Sequence, residues 1–380
     1  MHLVPRPALS LGIEEEYLLV DRETRNLVSD PDERLWESAS EALGTKAMPE
    51  FLRAQIEVAT GIHASVSDAG KELVEMRASL NEALEKHGAT VMASSTHPFA
   101  LWWEQQYTDK DRYKVMAEDL GMVARRMVIC GMHVHAGIED ADLRIDLMNQ
   151  VRYMLPHLLS LSTSSPFWGS RLTGLKSYRI STFRTMPRTG LPDEFASWSE
   201  YQRHVDVLVR ARIIEDSSKI WWDIRPSSRF PTLEMRITDV CTRVEDACAI
   251  AAAYVCLLHM LYRLRLSNQR WRQYAPMLIS ENIWRAQRYG VEGSLMDYGK
   301  GHLVEYRDLA EEMLELLAPD AEELGCWPEL QRVRTIVTDG TSADRQIATY
   351  KTAIEAGASN EEALRMVVDQ LIADTAAVPA

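Results

Sequence analysis

Apolar and polar positions alternate with a period of two across residues 9–20, Leu-Ser-Leu-Gly-Ile-Glu-Glu-Glu-Tyr-Leu-Leu-Val, which predicts a β-strand ending near Asp21. Residues 51–59, 90–97, 128–138 and 230–240 give four more strand candidates. Between them the period shifts to that of a helix. Leu73, Met76, Leu80 and Leu84 form an apolar stripe along a helix from Asp68 to His87, with Ser67 or Asp68 placed to cap its start and Gly88 its end. Further helices are expected over 111–126, over 140–161 with a kink at Pro156, and over 199–219. Residues 162–195, rich in Ser, Thr, Gly and Pro, read as loop. The run at 245–266 reads as a buried helix, and everything after about 278 is helical in pattern with no strand expected. The pattern predicts an α+β fold: sheet elements within about 9–240, a mostly helical 245–380, and no linker dividing residues 1–380 into separate domains.

Composition narrows the function classes. The chain has 380 residues, 46% hydrophobic and 26% charged, with a net charge of −14. That balance argues against nucleic acid or an acidic membrane surface as partner, because both favour a basic face. It leaves room for an anionic substrate held by a local basic patch or by bound cations. The N-terminus has no basic stretch followed by an apolar core, so no signal peptide is expected. The apolar run near Ala249–Tyr262 is short for a bilayer span. Five cysteines without a CxxC pair read as thiols in a reducing cytoplasm.

The chemistry concentrates in a few segments. In Gly131-Met132-His133-Val134-His135, strand alternation puts His133 and His135 on one face, where they can bind a metal, a phosphate or both. Glu14 and Glu16 share a face of the first strand, opposite Ile13, Glu15 and Tyr17. Three glutamates in an apolar strand are costly unless something positive meets them, the plain alternative being a solvated edge. In the second strand Arg53, Gln55 and Glu57 share a face. Glu50 and Glu57 differ by an odd number, so both reach one site only across a bulge or turn. Glu234 and Arg236 share a polar face in Thr232-Leu233-Glu234-Met235-Arg236, and Trp221-Trp222-Asp223-Ile224-Arg225 precedes them. A surface ion pair and a core tryptophan pair are the plain alternatives. From Leu147 to Pro192 there is no acid, while Arg152, Arg171, Lys176, Arg179, Arg184 and Arg188 all fall there. Arginine's planar fork suits phosphate and carboxylate, so this window reads as an anion-binding segment. Carboxylates on several strands suit Mg²⁺ or Mn²⁺ beside substrate phosphates. Two histidines and a glutamate suit zinc.

Together with Gln55-Ile56-Glu57, Ser165-Pro166-Phe167-Trp168-Gly169, Thr173-Gly174 and Ser177-Tyr178-Arg179, these motifs occur in an order that resembles the type 2 glutamate–cysteine ligases, ATP-dependent carboxylate–amine ligases. The similarity spans nearly the whole chain. More distantly it resembles glutamine synthetase, in its Gly-Met-His-x-His and Glu-x-Arg strands. The resemblance implies the glutamine synthetase-like catalytic fold, a curved antiparallel sheet forming an open funnel flanked by helices. It places Glu14, Glu16, Glu50, Glu57, His133 and Glu234 at divalent-metal positions. It places His135, Arg225 and Arg236 near nucleotide phosphates or the transferred phosphoryl group. Charge adds Arg171 and Arg179 as candidates for ATP or an amino-acid carboxylate, and Arg236, Arg225 and Arg179 are the candidate catalytic cations.

The implied activity joins a small carboxylate, such as an amino acid, to a small amine such as cysteine, through an acylphosphate made with ATP and Mg²⁺ or Mn²⁺. A cytoplasmic homodimer is the expected setting. Three other readings stay open on the residues alone: a phosphotransferase of the guanidino-kinase type, a zinc-dependent amidohydrolase using His133 and His135, and a non-catalytic nucleotide-binding protein.

Overall fold

The computed structural model describes residues 5–378. Its centre is a seven-stranded, wholly antiparallel sheet. In chain order the sheet strands are β1 (Leu11–Asp21), β2 (Ala47–Pro49), β3 (Gln55–Ala59), β4 (Ala89–Met92), β5 (Met132–Gly137), β6 (Ile224–Pro226) and β7 (Thr232–Met235). Their spatial order is β6-β7-β5-β1-β3-β2, and β4 also pairs with β1. The long first strand is therefore flanked by the histidine strand on one side and the Glu57 strand on the other.

Each element follows from its residues. In the first half of β1, Leu11, Ile13, Glu15 and Tyr17 are buried while their neighbours face a cleft. Helix α1 (Val66–Glu85) lays Leu73, Met76, Leu80 and Leu84 against the back of the sheet. Its cap is Ser65, whose side chain accepts from the Asp68 amide, two to three residues earlier than Ser67 or Asp68 would set it. The 140–161 region divides into α2 (Ala141–Val151) and α3 (Leu155–Ser162), with a tighter turn at Arg152–Met154 where Pro156 withholds its backbone donor. Helix 111–126 breaks at Gly121, which adopts φ +54. The helix expected over 199–219 stops at Arg210, and only a short turn at Ser217–Lys219 follows.

Helix α4 (Val244–Leu266) is long and apolar enough to cross a membrane by length and composition. Here it is the central core helix, with almost every side chain from Val244 to Tyr262 buried against the sheet and its neighbouring helices. Two expectations need correcting. Residues 162–195 hold a short helix (Tyr178–Phe183) and two-residue strands, so they are folded rather than loose. The C-terminal third contains a hairpin, β8 (Ser294–Asp297) and β9 (His302–Glu305). Its signal lies in Asp297-Tyr298-Gly299-Lys300-Gly301. The Asp297 carboxylate accepts the Gly299 and Lys300 amides, and Gly301 supplies φ +76.

Candidate functional site

Register brings the distant motifs together. Glu14 lies opposite His133 across β1–β5, and Glu16 opposite Glu57 across β1–β3. Glu234 lies opposite His135 across β5–β7 and opposite Arg225 across β6–β7. All face one cleft of about 500 Å³. Between β2 and β3 the chain turns, and that turn overcomes the odd spacing: Glu50 joins Glu57 in the cleft. Arg53, outside the strand, pairs instead with Asp30 at 2.6 Å.

Among the described residues two groups of ligand-type atoms result, each within a 4.8 Å span: Glu14, His135 and Glu234, and Glu16, Glu50 and Glu57. In the second, three carboxylates crowd with like charge. Burial, then the Glu50 charge, lifts the Glu16 carboxyl to about 7, against the pull of Arg179, the Gly131 amide and Arg236. Burial and the charges of Glu50, Glu14 and Glu16 push Glu57 well above the carboxylate range. An all-oxygen group of this kind fits a hard divalent cation.

The first group is mixed. Burial raises Glu14, but its contacts with His133 and His135 outweigh that and hold it well below its usual value. Glu234 is 2% exposed. It accepts from Arg225 Nε at 2.9 Å and from Arg236 Nη1. Burial opposes its ionisation, yet those two guanidinium groups hold it far below the usual range. His135 Nδ1 meets Thr232 Oγ1 at 2.9 Å. Its Nε2 lies 3.2 Å from Glu14 Oε1 but is not aligned for a hydrogen bond, and so is a buried nitrogen without a partner. Two carboxylates and a free imidazole nitrogen also fit a divalent cation. His133, which the resemblance gives to the metal, belongs to neither group: its Nδ1 lies 3.3 Å from Glu14 and 3.4 Å from Arg236. Burial, then the Arg236 charge, lowers it to about 4, so it is neutral at pH 7.

The acid-free window behaves differently from its reading. Acids from elsewhere neutralise it: Arg184 meets Asp223, Arg152 meets Glu194, and Lys176 lies between Glu292 and Asp344. Arg188 donates to the Lys219 carbonyl and lies over Trp221. Arg171 sits exposed on a small hairpin and does not line the cleft. Of the six, only Arg179 does. The cleft also gathers Tyr113, Phe183, Lys219, Arg229 and Phe230, which sequence reasoning did not single out. Phe230, half exposed beside His135, left one signal: an aromatic in the polar run Ser227-Ser228-Arg229.

With this geometry in hand, comparison with known proteins decides the family. The family described as glutamate-cysteine ligase family 2 matches residues 10–370. The chain belongs to that family. Relatives in Rhodospirillum rubrum and Jannaschia sp. carry the provisional name glutamate–cysteine ligase 2. The first is 58% identical over 98% of this chain and 96% of its own length, the second 53% over 96% of each. Among solved structures, the glutamate–cysteine ligase of Francisella tularensis in complex with AMP superposes with a TM-score of 0.69 at 14% identity, over 97% of this chain and 89% of that one. A bifunctional glutathione synthetase from Pasteurella multocida gives 0.68 at 16%, over 96% of this chain and 52% of that one. The fold is thus the glutamine synthetase-like fold of the glutamate–cysteine ligases. As a member of this family, the protein is an ATP-dependent ligase that forms a C–N bond. That sets aside the phosphotransferase, the amidohydrolase and the non-catalytic reading.

Proposed function

We propose that the cleft makes γ-glutamylcysteine or a close analogue, joining the side-chain carboxylate of glutamate to the amine of cysteine through an acylphosphate. The relatives' names supply the substrate pair. One observation carries the reading: two ligand groups stand side by side on neighbouring antiparallel strands, with Arg225 and Arg236 bound to Glu234 of one of them.

Glu16, Glu50 and Glu57 would hold one Mg²⁺ or Mn²⁺, and Glu14, His135 and Glu234 a second. When bound, such ions screen the triphosphate from the acidic cleft and neutralise charge that develops on the moving phosphoryl group. Arg225 and Arg236 present fixed positive charge to the γ-phosphoryl group as a substrate carboxylate oxygen attacks phosphorus and ADP leaves. Neutral His133 packs between Glu14 and Arg236 and keeps both in place. The amine then attacks the acyl carbon, the C–N bond forms, the C–O bond to phosphate breaks, and the nitrogen loses a proton. No nucleophile from the chain is needed, because positioning and charge stabilisation do the work.

The test is a panel of amino-acid pairs scored for phosphate release and for condensed product by mass. Equal amounts of phosphate and amide with glutamate and cysteine support the reading. A stable phosphorylated amine, or hydrolysis without ATP, overturns it.

A further inference from the structure

We propose that Arg179 holds the carboxylate of the amine-bearing substrate, and that the apolar wall beside it is the pocket for that substrate's side chain. The proposal rests on the ligase reading above and assigns its second substrate to one end of the cleft.

Arg179 is a buried cation with no carboxylate in direct contact; the charges of Asp239 and Glu16 reach it only through space. It is 2% exposed. Among the described residues no carboxylate oxygen lies within 4 Å of its guanidinium. Nη1 donates to the Ile237 carbonyl and Nη2 to the Arg236 carbonyl, both at 3.2 Å. Nε is buried with no partner. The nearby Asp239 carboxylate makes no direct bond to Arg179: its hydrogen bonds come from the Ser164 amide at 2.9 Å, Ser165 Oγ at 2.7 Å and Ser177 Oγ at 2.8 Å. Those bonds fix the start of the short helix that carries Arg179, whose own amide donates to Ser165 Oγ. The chain also makes room for the head group. A Cβ on Gly131 would stand 2.2 Å from Nη2, so the guanidinium lies on the bare glycine. A buried guanidinium nitrogen left without an acceptor is costly, and a cleft-lining head group fixed in that state implies that an anion completes it.

The surroundings select which anion. Met127, Ile129, Phe183 and Met186 line the same cleft, and the Phe183 ring lies 5.4 Å from the Arg179 Cζ. A triphosphate gains nothing from such a wall, whereas a compact uncharged side chain does. The cations placed for phosphate, Arg225 and Arg236, are bound to Glu234 on β7, and His135 pairs with that same residue across β5–β7. Glu16 stands close enough to Arg179 to feel its charge. An acyl group activated at that cluster would thus meet an amine anchored by Arg179.

The experiment uses Arg179→Met and Arg179→Lys with two acceptors: cysteine and cysteamine, which lacks the carboxylate, or the matching pair for whichever acceptor the panel ranks first. Hydroxylamine, which traps an acylphosphate as hydroxamate, serves as a third. The native enzyme should prefer the amino acid over its decarboxylated amine by tenfold or more in kcat/KM. Arg179→Met should cut that preference to within about threefold by lowering the amino-acid value alone, and Arg179→Lys should keep part of it. Hydroxamate formation should fall at least tenfold less than amide formation. Preference retained in Arg179→Met, or a KM rise falling on ATP or glutamate instead, overturns the assignment. No hydroxamate and no phosphate release from the native enzyme would instead overturn the ligase chemistry beneath it.

Discussion

Glu16 and Glu57 stand directly opposite each other in the β1–β3 ladder, and Glu50 closes on both from the turn before β3. Like charges opposed across a sheet are destabilising. A fold that sets three carboxylates together trades stability for a cation site. Function and stability should therefore separate at this point in the structure.

Replacing Glu57 with Gln should abolish ligation, by about a hundredfold or more, while making the metal-free protein more stable by roughly 1 kcal/mol. The melting temperature in chelator should rise by about 1–2 °C, and the increment given by added Mg²⁺ should shrink. A lower melting temperature in chelator would show that Glu57 makes a structural bond rather than a strained one.

Behind the same strand, Glu15 behaves oppositely. It takes two donors from the Arg77 guanidinium at 2.9 Å and 3.1 Å and a hydrogen bond from Tyr17, while Arg77 also donates to the Thr242 and Cys241 carbonyls. All three side chains are buried. Arg77→Leu strands the Glu15 carboxylate and should cost about 3–5 kcal/mol in urea denaturation. Adding Glu15→Leu should recover a large part of that loss. A double variant no better than the single one would mean that the packing of the arginine stem matters more than the charge.

Much of this was legible in the sequence. The alternation in Ile13-Glu14-Glu15-Glu16-Tyr17 already separates the two faces of β1, and the motif order points to the family. What stayed hidden depends on distance along the chain. The partner of Glu15 lies 62 residues away. The basic window from Leu147 to Pro192 looked uncompensated because its acids, Asp223, Glu292 and Asp344, come from other segments. His135, rather than His133, joins Glu14 and Glu234 because strand register, invisible in a single strand, sets which imidazole nitrogen meets them. The β8–β9 hairpin was missed because its two strands are only four residues each, and the Asp297 turn between them carries the signal.

Gly131 is constrained by its neighbour rather than by its own backbone. In Gly131→Ala the new methyl must displace the Arg179 guanidinium, which is held by two carbonyls. Overpacking of this kind costs about 1–3 kcal/mol. The variant should fold, with its far-ultraviolet circular dichroism unchanged, and should lose at least about tenfold in amide formation. Native activity would show that Arg179 can move without consequence.

His97 should make stability depend on pH. Its Nδ1 accepts the Phe99 amide at 3.2 Å and the Ala100 amide at 2.9 Å, so the ring proton sits on Nε2, which donates to the Arg25 carbonyl at 2.9 Å. Protonating Nδ1 would break both amide bonds, and burial lowers the group from 6.5 to about 4. As pH falls from 6.5 towards 4 the unfolded chain takes up a proton that the folded chain refuses. Stability is therefore full above 6.5 and declines below it, by roughly 3 kcal/mol at most from this residue. His97→Asn keeps an acceptor near the Nδ1 position and removes the titration. It should start less stable at pH 7.5, having lost the bond to Arg25, yet lose less on acidification to pH 5. Thermal melts of both proteins across that range decide the matter: parallel curves would show that His97 takes up no proton preferentially in the unfolded chain.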